Sequence, residues 1–222
     1  RVFNYSNKTC KNKYYRTGTN LHNPHGFQQP FPMTKAIVIT IDQLGARFLS
    51  LYGNTWNPTP SFDRLAARGL TMEFCLSSST KLETGLGSLF SGKHPLAMSH
   101  PTSLLAMLEQ QGRTSLLIQE GDSLSAISDC QNFSEIQSLP FGSTDQVAES
   151  LEQTSIAQFI GLTLETLEQQ PDHDLIWIHH AGLGITWDAP MEYREQFFAD
   201  EDPDVLEITS PPFGPLMDAT DP

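Results

Sequence analysis

Asp42 closes the run "AIVITI" and is followed by Gln43, Leu44 and Gly45. A carboxylate at the end of an apolar, β-branched strand has two ordinary uses: it serves as a metal or phosphate ligand at the strand's mouth, or it caps the next turn. The neutral amide of Gln43 can add a coordinating oxygen but no charge. Further along, "SSTKLETGLGSLFSG" carries the hydroxyls of Thr80 and Thr84 and the ammonium of Lys81 ahead of a helical segment. A hydroxyl attacks an ester only when something activates it, and beside a helix N-terminus threonines more often act as caps. A third cluster, "DHDLIWIHH", sets His179 next to His180. On a strand, adjacent side chains face opposite sides of the sheet, so these two imidazoles do not easily chelate one ion.

Elements able to position these groups follow from Met33 onwards, where short apolar runs alternate with helical segments. That alternation predicts an α/β fold, a mostly parallel sheet sandwiched by helices. Strands are expected over 35–41, 70–75, 114–119 and "DLIWIHH". Helices are expected in "SFDRLAAR", over 84–90, 101–111 and 144–170, and around 190–198, while 121–143 reads as loop. Thr59 is the expected N-cap of the first helix, Pro60 its first residue and Gly69 its stop. Open parallel sheets bind ligands beyond the carboxyl ends of their strands, which is where Asp42 stands.

Composition narrows the ligand classes. The 222 residues include 13 basic and 26 acidic ones, a net charge of −13 that repels nucleic acid and anionic membranes and suits a divalent metal or a cationic partner. No window reaches the roughly eighteen apolar residues of a membrane span, and the first thirty residues lack a signal-peptide centre, which leans towards the cytoplasm. Cys10, Cys75 and Cys130 are scattered and show no zinc or disulfide spacing. Residues 1–32 have no initiator Met and no periodicity, and read as a leader outside a domain of residues 33–198. In the leader, Asn4-Tyr5-Ser6 and Asn7-Lys8-Thr9 would matter as glycosylation acceptors only in a secreted chain. Residues 199–222 read as an acidic, Pro-rich tail with no element to cover a sheet, so the domain is expected to be incomplete at its C-terminus.

The ordered series "IVITIDQLGARFLSLYGNTWNPTPSFDRLAARGL", "SLFSGKHP" and "IWIHHAGLGITWDAPMEYREQF" resembles the N-terminal part of the sulfatase family within the alkaline phosphatase superfamily, from about Lys35 to Phe198. The resemblance implies that Asp42 and Gln43 occupy the positions of two adjacent aspartates that bind a divalent cation, usually calcium. Related phosphodiesterases keep a single acid there. Counting back ten residues from Gly92 places Leu82 at the family nucleophile, Thr84 at its proline and Leu86 at its arginine. Leucine has no hydroxyl or thiol, so formylglycine cannot form at Leu82 and no attack can start there. The family's sulfate-contacting histidine falls at Gly184, while His179 remains at a position of structural use. The family's later metal ligands have no counterpart after Phe198, and Asp218 and Asp221 do not replace them.

The resemblance therefore implies a metal-dependent sulfuric ester hydrolase acting on a small-molecule sulfate or phosphate ester, weakened or inactive by its own residues. Three alternatives stay open at this point: a phosphoesterase using Thr80 or Thr84 in a longer chain, a non-catalytic binding protein of the same fold, and a chain that does not fold alone.

Overall fold

The computed structural model describes residues 35–97, 103–140, 146–169, 172–184 and 186–210. The leader, Cys10, Asp218 and Asp221 lie outside the described residues. Four strands, β1 (Ala36–Ile41), β2 (Ser115–Glu120), β3 (Glu135–Leu139) and β4 (Leu175–His180), form one sheet in the order β1-β4-β2-β3. Every pairing is parallel, with Val38 opposite Trp177, Ile118 opposite Ile178 and Glu120 opposite Leu139. Parallel neighbours need long crossovers. These contain α1 (Pro60–Ala66), α2 (Leu82–Ser91) and α3 (Leu104–Gln110) between β1 and β2, and α4 (Ser155–Gln169) between β3 and β4; the short α5 (Met191–Glu195) follows β4.

The two central strands are buried at every residue, which is why both read as nearly unbroken apolar runs. Their side chains alternate between two cores. On one face Leu117, Leu175 and Trp177 meet Leu86 and Phe90 of α2 and Leu105 of α3. Trp177 lies 4.8 Å from the ring of Phe90 and 6.4 Å from that of Phe133, an aromatic cluster at the centre of this layer. On the other face Leu116, Ile118, Ile176 and Ile178 pack with Phe159 of α4. The helices thus cover both sides of the sheet, as the periodicity predicts.

Several boundaries differ from the sequence expectation. Residues 70–75 form no strand, and Leu70 and Phe74 are exposed. Their apolar character is not enough without a neighbouring ladder to complete the backbone hydrogen bonds. The expected loop 121–143 contains β3, whose Glu135, Gln137 and Ser138 hide the usual alternation; it is the last strand of the sheet among the described residues, and its partly exposed faces tolerate polar side chains. The long helix expected from 144 starts only at Ser155, because Thr154 accepts the amide of Ala157 at 3.3 Å and Asp188 accepts that of Ser155 at 2.5 Å. Two acceptors at one helix head fix its first turn. Thr59 and Pro60 do begin α1, but the Thr59 hydroxyl accepts the amide of Ser50 at 2.9 Å instead of one in its own helix.

Among the described residues no helix is long and apolar enough to cross a membrane. Cys75 is exposed and unpaired; Cys130 is buried in the first core, where loss of solvation and the charge of Asp129 push its thiol up to about 11.

Candidate functional site

Because all four strands run the same way, their carboxyl ends share one edge of the sheet, and the polar residues gather there. The amide of Asp42 bonds the carbonyl of His180 at 3.1 Å, so β1 and β4 stay paired up to their last residues. Beyond this point the two following loops press together. Gly182 has φ +116°, and a Cβ at that position would stand 2.5 Å from the Asp42 carbonyl oxygen. Gly184 is backed by the side-chain amide of Gln43, which occupies the space a Cβ would need. Gln43 itself has φ +58°, an uncommon conformation for a residue with a side chain.

A cavity of about 460 Å³ opens at this edge, lined by Asp42, Gln43, Leu82, Glu120, Asp122 and His179 among others. The structure therefore brings Asp42, Gln43 and Leu82 together, although Leu82 belongs to the first turn of α2. Thr80 and Thr84 are not in that lining; Thr80 is exposed and Thr84 half-buried. Leu86, at the position the resemblance gives to arginine, is part of the hydrophobic core. Glu120 and Asp122 did not enter the sequence reading. Glu120 obeys the same rule as Asp42, an acid at the carboxyl end of an apolar strand, but the expected strand ended one residue before it.

The two histidines do face opposite sides. His180 meets Phe159 of α4 at 5.1 Å, and its Nδ1 accepts the amide of Gly182 at 3.0 Å, which leaves the ring proton on Nε2. Nε2 lies 3.5 Å from Glu120 Oε2, and the same oxygen accepts the amide of Ala181 at 3.1 Å. The two amide bonds, from Ala181 to Glu120 and from Gly182 to His180, hold the loop that follows β4, while His180 Nε2 makes no hydrogen bond among the described residues. His179 is fully buried on the cavity side, its Nδ1 2.9 Å from the hydroxyl of Thr40, which also accepts the indole N–H of Trp177 at 3.1 Å. Burial lowers its pKa, outweighing the opposing pull of Asp42, so the ring is held neutral. Its Nε2 has no hydrogen-bond partner among the described residues.

The cavity is acidic: Asp42, Glu120 and Asp122 line it, and among the described residues no lysine or arginine does. Hard carboxylate and amide oxygens suit a divalent cation, and the unpartnered imidazole nitrogen is a further donor. Among the described residues, however, no three His, Cys, Asp or Glu side chains are placed to share one ion.

No protein-family model and no curated protein matches the chain. Solved structures do. The phosphonate monoester hydrolase of Agrobacterium radiobacter superposes with a TM-score of 0.58 at 15% identity, over 77% of this chain and 45% of that one. The C-terminal periplasmic domain of EcEptC from Escherichia coli, in complex with Zn, gives a TM-score of 0.54 at 18% identity, over 80% and 52%. The fold is alkaline phosphatase-like. The chain spans about half the length of these solved structures. In this alkaline phosphatase-like fold the acidic cavity lies where open parallel sheets take their ligands, beyond the strands' carboxyl ends.

Proposed function

We propose that the chain is a sulfatase-like domain that binds a divalent cation and a small anionic ester but lacks the nucleophile needed to turn the ester over. One observation carries this reading: Leu82, which the resemblance sets at the nucleophile, lines the same cavity as Asp42. Its side chain has no lone pair with which to attack sulfur or phosphorus. Fold likeness supplies no activity by itself.

Asp42, with the amide of Gln43, would hold the cation, and the unpartnered Nε2 of His179 supports a further ligand in the same cavity. Such an ion, when bound, polarises an ester oxygen as a Lewis acid. Without it, the three carboxylates would repel an anion. A phosphoesterase working through Thr80 or Thr84 is the rival reading, and it takes some support from one neighbour named for phosphonate hydrolysis. Against it stands the absence of both hydroxyls from the cavity lining.

The deciding experiment pairs 4-nitrophenyl sulfate and 4-nitrophenyl phosphate with millimolar calcium. The expected result is a raised unfolding temperature for the parent and not for Asp42→Asn, without release of nitrophenol. Leu82→Thr, which restores a hydroxyl at the head of α2, is expected to release nitrophenol above the blank. Turnover by the parent that disappears in Thr84→Ala would overturn the proposal.

A further inference from the structure

Thr40 and His179 are direct partners in the β1–β4 ladder. Asp42 comes two residues after Thr40, the interval that returns a side chain to the same face of a sheet, and both Asp42 and His179 line the acidic cavity. Three groups surround the Thr40 hydroxyl: the indole N–H of Trp177 at 3.1 Å, the carbonyl oxygen of Ile178 at 3.4 Å and Nδ1 of His179 at 2.9 Å. A hydroxyl has one proton to give and two lone pairs that accept. The indole can only donate, so it fills one lone pair; the carbonyl can only accept, so it takes the proton. The remaining lone pair faces Nδ1, which is therefore the donor. Turning the hydroxyl proton to Nδ1 instead would leave the Ile178 carbonyl facing a bare oxygen, so a single assignment satisfies all three contacts.

The neutral ring of His179 has one proton to place. With that proton on Nδ1, Nε2 is a bare lone pair. His179 is 0% exposed, and its Nε2 has no partner among the described residues. Buried polar atoms are nearly always paired, because an unmade hydrogen bond is costly, and an orphan on a cavity wall points to a ligand. His180 is set the other way: its Nδ1 accepts the amide of Gly182, so its Nε2 carries the hydrogen and cannot ligate. Histidines that bind metals characteristically donate the proton of their other nitrogen to an oxygen, which fixes the ring and the tautomer. Thr40, itself pinned by the indole of Trp177, fills that place here.

We propose that Thr40 is a positioning residue, which holds the Nδ1 proton of His179 so that Nε2 serves as a nitrogen ligand to the cation beside Asp42. The cation rests on the function proposed above; the placement of the proton does not. An imidazole joined to the oxygens of Asp42 and Gln43 favours an ion that accepts nitrogen, zinc rather than calcium. The resemblance, which leaves His179 a structural use, does not supply this ligand.

The test uses the full chain with isotope-labelled histidine. At alkaline pH, long-range proton–nitrogen spectra distinguish a protonated ring nitrogen from a bare one. His179, assigned by the loss of its signals in His179→Asn, is expected to carry its proton on Nδ1, and His180 on Nε2. Zinc is expected to move the Nε2 signal of His179 and to leave that of His180 in place. In calorimetric titrations Thr40→Val and His179→Asn are expected to weaken zinc binding about tenfold or more, and Thr40→Ser, which keeps a hydroxyl, to restore most of it. Calcium, which takes oxygen ligands, should change by less than about twofold in the same variants. A residue that merely supported the fold would weaken both ions alike, so equal losses for zinc and calcium in Thr40→Val would overturn the proposal. So would a proton on Nε2 of His179 in the parent, or zinc bound with that nitrogen unmoved, and neither result depends on a variant that folds. If His179 shows the expected proton and the parent binds neither ion, the cation reading fails and the ligand role with it, while the placement of the proton by Thr40 stands.

Discussion

Gly182 and Gly184 carry the same residue type two positions apart, yet their neighbours predict opposite tolerance to a methyl group. At Gly182 the added Cβ meets backbone, the Asp42 carbonyl oxygen at 2.5 Å and its carbon at 2.9 Å, and the residue sits at φ +116°. Holding a side chain at such a φ costs about 1–3 kcal/mol, and the clash adds to it because the end of β1 must move. Gly182→Ala is expected to destabilise by at least about 2 kcal/mol, or about 4–8 °C for a chain of this size. At Gly184 the obstacle is the far end of the flexible Gln43 side chain, which can turn aside. Gly184→Ala is expected to cost about 0.5–1.5 kcal/mol, the scale of a displaced rotamer. Truncating the obstacle should relieve it, so Gln43→Ala and Gly184→Ala together should show a favourable coupling of about 0.5–1 kcal/mol. Urea unfolding of the four variants and the parent measures all of these terms. Equal stability of Gly182→Ala and the parent, or no coupling between positions 43 and 184, would refute the packing on which the site's geometry rests.

Removing the Thr40 hydroxyl as Thr40→Val leaves the buried indole N–H of Trp177 without its acceptor and His179 Nδ1 without its partner; a loss of about 1–3 kcal/mol is expected in the same assay. Phe90, only 2% accessible and packed at a tilt of 45° against Trp177, should cost about 3–5 kcal/mol as Phe90→Ala, with loss of near-ultraviolet circular dichroism from the Trp177 cluster. Asp174 is held below the usual carboxylate range, first by the Thr114 amide and then by Arg113. Its contribution is therefore present above the unfolded-state value near ~4 and is lost as the pH falls through the lower folded value. Asp174→Asn should flatten that acid limb in a pH series of unfolding temperatures, and an unchanged limb would remove the pair from the account.

The central strands were legible because burial on both faces leaves no ambiguity of pattern: "LLI" and "LIWI" have nowhere to go but a covered sheet. Strand β3 was not, since its "EIQSL" derives its order from the ladder to Leu116–Glu120 and not from its own side chains. Residues 70–75 show the converse error, an apolar run without a ladder. Asp42 was legible from its position at a strand end, and the same logic extended by one residue would have found Glu120. The fit of Gln43 against Gly184 could not be read, because it joins two loops that only the parallel pairing of β1 and β4 brings together.

The placement of β1 at the border of the sheet has a consequence for the order in which the protein comes apart. Among the described residues its backbone bonds to β4 alone, and its Ile37 and Ile39 are 59% and 64% accessible, whereas β2 and β4 are enclosed on both faces. The free energy needed to release it is thus smaller than that of global unfolding. Asp42 rides on this strand. Amide protons of residues 36–41 should exchange with deuterium sooner than those of 175–180, and a cation held by Asp42 should slow the former selectively. Ligation and local fraying would then compete for the same six residues, so that the strand's grip on the sheet sets the lifetime of the site.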